Sequence, residues 1–171
     1  ASNPIALLPR IAEFESARDR VLEDDELRHL WVTLDKRNDA LGATIRCILL
    51  LGGQRFRQIL RVKLCDYDRQ QGTLRLTDPK GKRHKAAAHL LPVSRQVARE
   101  LESIAFANAS GYVFSTTGGA KPIHHTTISA EIGAIARVNA AADSAYKPGD
   151  IRRTVETRLQ ALGVSRDVRA Q

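Results

Sequence analysis

The sequence predicts an α+β fold, mainly helical, with a small three-stranded antiparallel sheet. Three observations carry this expectation. Apolar residues recur at helical spacing towards both ends of the chain, the middle switches to alternation, and turn-forming clusters separate the alternating runs. With 171 residues and 43% hydrophobic composition, the chain is long and apolar enough for one domain with a real core.

Residues up to about Val21 mix apolar and charged types without a sustained period and read as a linker or lead-in segment. Glu23-Asp24-Asp25 then give an acidic first turn ahead of Leu27, Leu30, Trp31 and Leu34, which share one helical face. A second helix is expected from Asp39 to Leu51, burying Leu41, Ile45, Ile48 and Leu49. Gly52-Gly53 stops it, and a short helix should follow from about Gln54 to Arg61. Val62, Leu64 and Tyr67 alternate as in a strand, Gln70-Gln71-Gly72 turns the chain, and Leu74 and Leu76 continue in the next strand.

Asp78-Pro79-Lys80-Gly81-Lys82 is a strong turn signal, and Ala86 to Leu91 reads as the third strand. Ser94 is a candidate N-cap for a helix carrying Val97, Leu101 and Ile104. Tyr112-Val113-Phe114 is a short extended piece, and Thr116 to Pro122 a loop. Thr126 or Thr127 should cap a helix through Ile128, Ile132, Ile135 and Val138. Asn139 to Tyr146 is a small-residue loop. Pro148 then opens the last helix, which Gly163 ends. No internal repeat or low-complexity tract interrupts this order.

Lys and Arg number 27 against 19 Asp and Glu, a net charge of +8 spread along the chain, which favours a polyanionic partner such as nucleic acid. Cys47 and Cys65 sit in apolar segments without metal-ligand spacing and read as small buried hydrophobes in a reducing compartment. No stretch has the apolar length of a transmembrane helix, and no signal-peptide pattern stands at the N-terminus, so the expected setting is cytoplasmic, with no membrane partner. Without a methionine, the chain is expected to be a processed or excised piece. His124 and His125 are adjacent and point in different directions, with no further ligand nearby. They read as phosphate or solvent contacts, and no metal site is expected.

Two segments carry the functional signal. One is Leu49-Leu50-Leu51-Gly52-Gly53-Gln54-Arg55-Phe56-Arg57-Gln58-Ile59-Leu60, an apolar run and glycines followed by an arginine at a helix start. The other is Pro148-Gly149-Asp150-Ile151-Arg152-Arg153-Thr154-Val155-Glu156-Thr157. Two guanidinium forks that converge suit the non-bridging oxygens of one phosphodiester better than lysines do. Taken singly, Arg55 reads rather as a surface arginine at a helix N-terminus, and Arg152 as the partner of Glu156 four residues on.

The second segment resembles the H-x-x-R box of tyrosine recombinases, the phage-integrase family, and the first resembles their upstream arginine box. The resemblance runs from about Asp24 to Gln171. It includes Leu90-Leu91-Pro92-Val93-Ser94 as a strand-to-helix junction and Tyr112-Val113-Phe114. It implies a recombinase catalytic domain over residues 22–171, incomplete at its C-terminus, behind a lead-in of 1–21. The implied activity is DNA cleavage and rejoining through a 3′-phosphotyrosyl link, on double-stranded DNA, without cofactor, and with a possible homo-oligomer on DNA. Arg55 and Arg152 would stabilise the phosphate. Lys80, in the hairpin turn, would protonate the leaving 5′ oxygen, with Lys82 as second choice. Lys82, Arg83, Lys85, Lys147 and Arg153 would contact DNA.

The sequence departs from that pattern at three places. Gly149 stands where the box has histidine, Gln58 where the upstream box has a carboxylate, and Tyr67, Tyr112 and Tyr146 all precede Arg152, so none is in the order expected of the nucleophile. A catalytically inactive DNA-binding module of the same fold is the alternative that Gly149 and Gln58 favour. An unrelated basic helical protein with structural arginines is the third reading.

Overall fold

The computed structural model describes residues 18–78, 87–107, 111–138 and 145–165. Among these residues six helices and a short sheet occur in the order α1 (Asp24–Asp35), α2 (Ala40–Leu50), α3 (Phe56–Ile59), β1 (Tyr67–Asp68), β2 (Thr73–Asp78), β3 (Ala87–Pro92), α4 (Arg95–Ala107), α5 (His125–Val138) and α6 (Pro148–Ala161). The sheet is antiparallel in the order β1-β2-β3, with Leu74 opposite Leu91 and Leu76 opposite His89. Among the described residues, no helix is long and apolar enough to cross a membrane.

The centre of the molecule is α2. Asp39 caps it by accepting from the Gly42 N–H at 2.7 Å. Every residue from Gly42 to Ile48 is buried, so the helix is enclosed rather than amphipathic, and Leu41 and Leu49, expected on the buried face, are only partly covered. Leu30 and Leu34 of α1, Val97, Leu101 and Ile104 of α4, and Ile128 and Ile132 of α5 complete the core. Leu74 and Leu76 of β2 and Phe114 are fully buried within it.

One charge is enclosed here. Arg46 makes two bonds to Glu100, at 2.8 and 2.9 Å, and also donates to the Leu34 and Arg37 carbonyls. A buried guanidinium is tolerated only when its donors are satisfied in this way, and the set ties α1, α2 and α4 together.

The strand expected from Val62 to Tyr67 is replaced by a 3₁₀ turn at Leu64–Asp66, leaving β1 only two residues. The cause is local competition. The Asp66 carboxylate accepts from the Lys63 N–H at 3.0 Å while Asp66 N–H donates to the Lys63 carbonyl at 2.9 Å. Leu64 donates instead to Gly111, and Val62 accepts from Val113, so the neighbours of this segment lie far away in sequence. That turn exposes Cys65, correcting its expected burial, whereas Cys47 is enclosed.

Three other boundaries differ. The short third helix covers only Phe56–Ile59. Helix α5 starts at His125, so Thr126 and Thr127 lie in its first turn, and the His124 carbonyl accepts from Thr127 N–H at 3.0 Å. Val138, expected on the buried face, is exposed. Ser94 does cap α4, accepting from Val97 N–H at 3.3 Å. The first residue after the expected lead-in is docked: Leu22 is buried and its N–H donates to Thr154 Oγ1 at 2.8 Å.

Candidate phosphate-binding cleft

Two local constructions bring Arg55 and Arg152 to one place. After α2, Gly52 and Gly53 take φ of +78° and +75°, a left-handed pair that reverses the chain. Arg55 follows in extended conformation as the residue before α3, with its side chain exposed. Gly53 lies directly on α6. A Cβ added there would stand 3.1 Å from the Val155 Cβ and 3.3 Å from the Arg152 carbonyl oxygen. The absent side chain is what lets the Arg55 loop touch the backbone of Arg152.

Helix α6 is anchored from below. Pro148 occupies its first turn, and Asp150, 1% exposed, accepts from Lys147 N–H at 2.8 Å and from Arg18 Nε at 2.9 Å. Ile151 and Thr154 are buried on the same side, Thr154 Oγ1 donating to the Asp150 carbonyl at 2.7 Å. Arg152 is thereby left at the outer face, where its Nη2 lies 2.9 Å from Glu156 Oε1. The helix-face pair read from sequence spacing is thus formed.

Arg55 and Arg152 line the same open cleft, about 1040 Å³ in volume. Arg57 and Arg61 line it too, so among the described residues four arginines and no carboxylate line the space. Gln58, 6% exposed, and Gly149 complete the two positions where the expected pattern was broken. At Gly149 a Cβ would meet nothing within 4 Å, so the wall there is open. Lys80, Lys82, Arg83 and Lys85 lie outside the described residues. Lys147 is exposed beside the cleft, one residue before Pro148. Arg153 is not part of the lining; its Nη1 donates to Asp150 Oδ1 at 3.2 Å and to the Arg20 carbonyl at 3.4 Å, a structural engagement.

His125 was grouped with His124 in the sequence, and only the structure separates them. His125 lines the cleft and its Nε2 lies 3.0 Å from Arg57 Nη2. Partial desolvation, with the neighbouring Arg57 and His124 adding to it, lowers its pKa from the usual imidazole value. His124 instead meets Thr126 Oγ1 through Nδ1 at 2.7 Å. Arg57 and Arg61 had a signal that sequence reasoning passed over. They stand four apart, two and six residues after Arg55, which is the spacing of one helical face.

Tyr146, beside the second box in sequence, is 3% exposed and its hydroxyl has no hydrogen-bond partner. Burial, reinforced by Glu26, pushes its pKa up to about 12, the reverse of an activated nucleophile.

The sequence matches the phage integrase family over residues 20–170. No curated protein matches it. Among solved structures, XerA recombinase superposes with a TM-score of 0.70 at 18% identity, over 92% of this chain and 57% of that one. The Tn1549 transposon integrase in complex with transposon right end DNA gives 0.67 at 11% identity, over 91% and 57%. A lambda integrase tetramer bound to a Holliday junction gives 0.69 at 16% identity, over 99% and 50%. At these identities the likeness is one of fold, and the chain spans about half the length of the proteins it matches.

Proposed function

The chain belongs to the phage integrase family, and from that premise we propose that it is the DNA strand-transfer domain of a tyrosine recombinase. The observation that supports this most is the convergence of Arg55 and Arg152, from distant boxes, on one cleft with no lining carboxylate among the described residues. Paired guanidinium forks fit the two non-bridging oxygens of a phosphodiester and stabilise the charge that grows as phosphorus becomes five-coordinate. A tyrosine hydroxyl attacks phosphorus, a 3′-phosphotyrosyl bond forms, and the bond to the 5′ oxygen breaks. Lys80 gives the departing oxygen its proton. A 5′-hydroxyl reverses the step on rejoining, so bond energy is conserved and no cofactor is required.

The ion pair of Arg152 with Glu156 does not oppose this role. A partly exposed pair four residues apart on a helix is worth about 0.3–0.5 kcal/mol, less than a charge-assisted bond to phosphate. The attacking tyrosine is assigned outside these 171 residues, because Tyr67, Tyr112 and Tyr146 precede Arg152 and Tyr146 is buried without a partner. The setting is the cytoplasm, on double-stranded DNA, with further copies of the chain assembled there.

A second reading keeps DNA binding and drops the chemistry. Gly149 brings no side chain to the cleft, and Gln58 brings an amide without charge. Two measurements separate the readings. Duplex affinity of this chain should fall steeply with salt, and Arg55→Ala or Arg152→Ala should each reduce the log–log slope by about 1. A flat salt response removes both DNA readings. On a nicked suicide substrate this chain should form no covalent adduct, whereas the longer parent carrying the tyrosine should form one that Arg152→Ala suppresses. A parent that binds but never reacts favours the inactive module.

A further inference from the structure

The imidazole of His125 has a place in this cleft that neither arginine box explains. A guanidinium can only donate hydrogen bonds, so in the contact with Arg57 the Nε2 of His125 must accept. The unliganded ring is therefore neutral, its proton on Nδ1. Its neighbours include several guanidinium groups and a second imidazole. Arg57 bonds it from α3, His124 lies 4.3 Å away between ring centroids, and Arg55, Arg61 and Arg152 line the same space. Among the described residues no carboxylate lines the cleft itself, Glu156 meeting it only through its pair with Arg152.

We propose that His125 is a phosphate-binding group of this cleft which takes up a proton from solvent as DNA binds, exchanging its bond to Arg57 for one to the phosphodiester. The proposal rests on the DNA reading above. A phosphate oxygen is a stronger partner for Arg57 than a neutral imidazole nitrogen, because both members of that bond are charged. Once Arg57 turns to the phosphate, the Nε2 lone pair is free and an anion stands beside it. Both changes favour the imidazolium, which then donates to the phosphate. The desolvation and cationic neighbours that lower its pKa in the free cleft set the starting point of this cycle.

The sign of the linkage follows. The bound state holds the proton more tightly than the free state, so affinity is highest at low pH. It is lost as pH rises through the pKa of the bound imidazole. One linked proton changes affinity by at most tenfold per pH unit between the free and bound pKa values.

The test is duplex affinity by fluorescence anisotropy at fixed low ionic strength, between about pH 6 and about pH 8, the range in which histidine titrates. The native chain should weaken about three- to tenfold across that range. His125→Gln should abolish most of that dependence, while His124→Gln keeps it. The open wall at Gly149 allows a rescue, since an added Cβ meets nothing within 4 Å. Gly149→His placed in the His125→Gln chain should restore a pH dependence. A His125→Gln variant with the full native dependence overturns the proposal.

A second arm is independent of DNA. Inorganic sulfate keeps one charge across this range, and the His125 ring resonance can be titrated by NMR with and without it. Sulfate should raise the ring's pKa. If the chain binds no duplex even at low salt, the DNA reading falls, and an unmoved ring titration in sulfate then overturns this inference as well.

Discussion

Gly52 and Gly53 form a natural pair of controls, and Gly53→Ala tests the construction that joins the two arginine boxes. Both residues have nearly the same left-handed φ, +78° and +75°, so replacing either with alanine incurs a similar backbone cost of about 1 kcal/mol. Their surroundings differ. A Cβ at Gly52 meets nothing within 4 Å, whereas at Gly53 it stands 3.1 Å from Val155 Cβ and 3.3 Å from the Arg152 carbonyl oxygen. A carbonyl oxygen in a helix cannot rotate away, so the loop or α6 must shift by a few tenths of an ångström. Such overpacking adds about 1–3 kcal/mol. The expected losses are about 1 kcal/mol for Gly52→Ala and about 2–4 kcal/mol for Gly53→Ala. Urea unfolding followed through Trp31, the sole tryptophan, measures both. Gly53→Ala should also weaken duplex binding in the folded protein, because it separates Arg55 from Arg152, while Gly52→Ala should not. Equal stability losses for the two variants, within about 0.5 kcal/mol, would refute the claim that the loop presses on α6.

Two further outcomes follow from buried groups. Cys47 is enclosed, and its thiol pKa is pushed far up by desolvation and by Glu100, while Cys65 is exposed; a thiol reagent should therefore modify one cysteine in the native chain and two after unfolding. Tyr146 has a folded pKa raised to about 12 against an unfolded value of about 10, so its contribution is intact below about pH 10 and is lost as pH rises towards 12. Tyr146→Phe should flatten that alkaline loss in a urea series, and at neutral pH should cost nothing or stabilise slightly, since the hydroxyl it removes has no partner.

Much of the architecture was legible because its signals are local. Asp39, Ser94, Pro148 and Gly163 mark helix ends by cap chemistry that depends on a few neighbouring residues. The alternation of Leu74 and Leu76 located β2 because one face of that strand meets the core. The segment from Val62 to Tyr67 misled for the opposite reason. Its alternation is real, but its hydrogen bonds go to Gly111 and Val113, and Asp66 closes a turn that periodicity does not encode. His125 was hidden in the same way. Its role depends on Arg57, remote in sequence, and a pair of adjacent histidines gives no hint of which ring faces a cleft.

The two adjacent arginines of α6 show how the fold divides residues that the sequence makes equivalent. Successive residues on a helix are rotated by about 100°, so Arg152 and Arg153 cannot serve the same surface. Arg153 falls three residues after Asp150 and joins Arg18 around that buried carboxylate. Arg152 falls four before Glu156, on the side facing the glycine turn and the cleft. Asp150 therefore does two things at once. It accepts the Lys147 N–H that would otherwise be unpaired at the start of α6, and it occupies one arginine so that the next remains at the cleft. An exposed partner holds Arg152 weakly, and a buried partner holds Arg153 more firmly, because the carboxylate of Asp150 is 2% exposed against 41% for Glu156. Of the two, the arginine left at the cleft is the one whose existing partner is the more easily displaced.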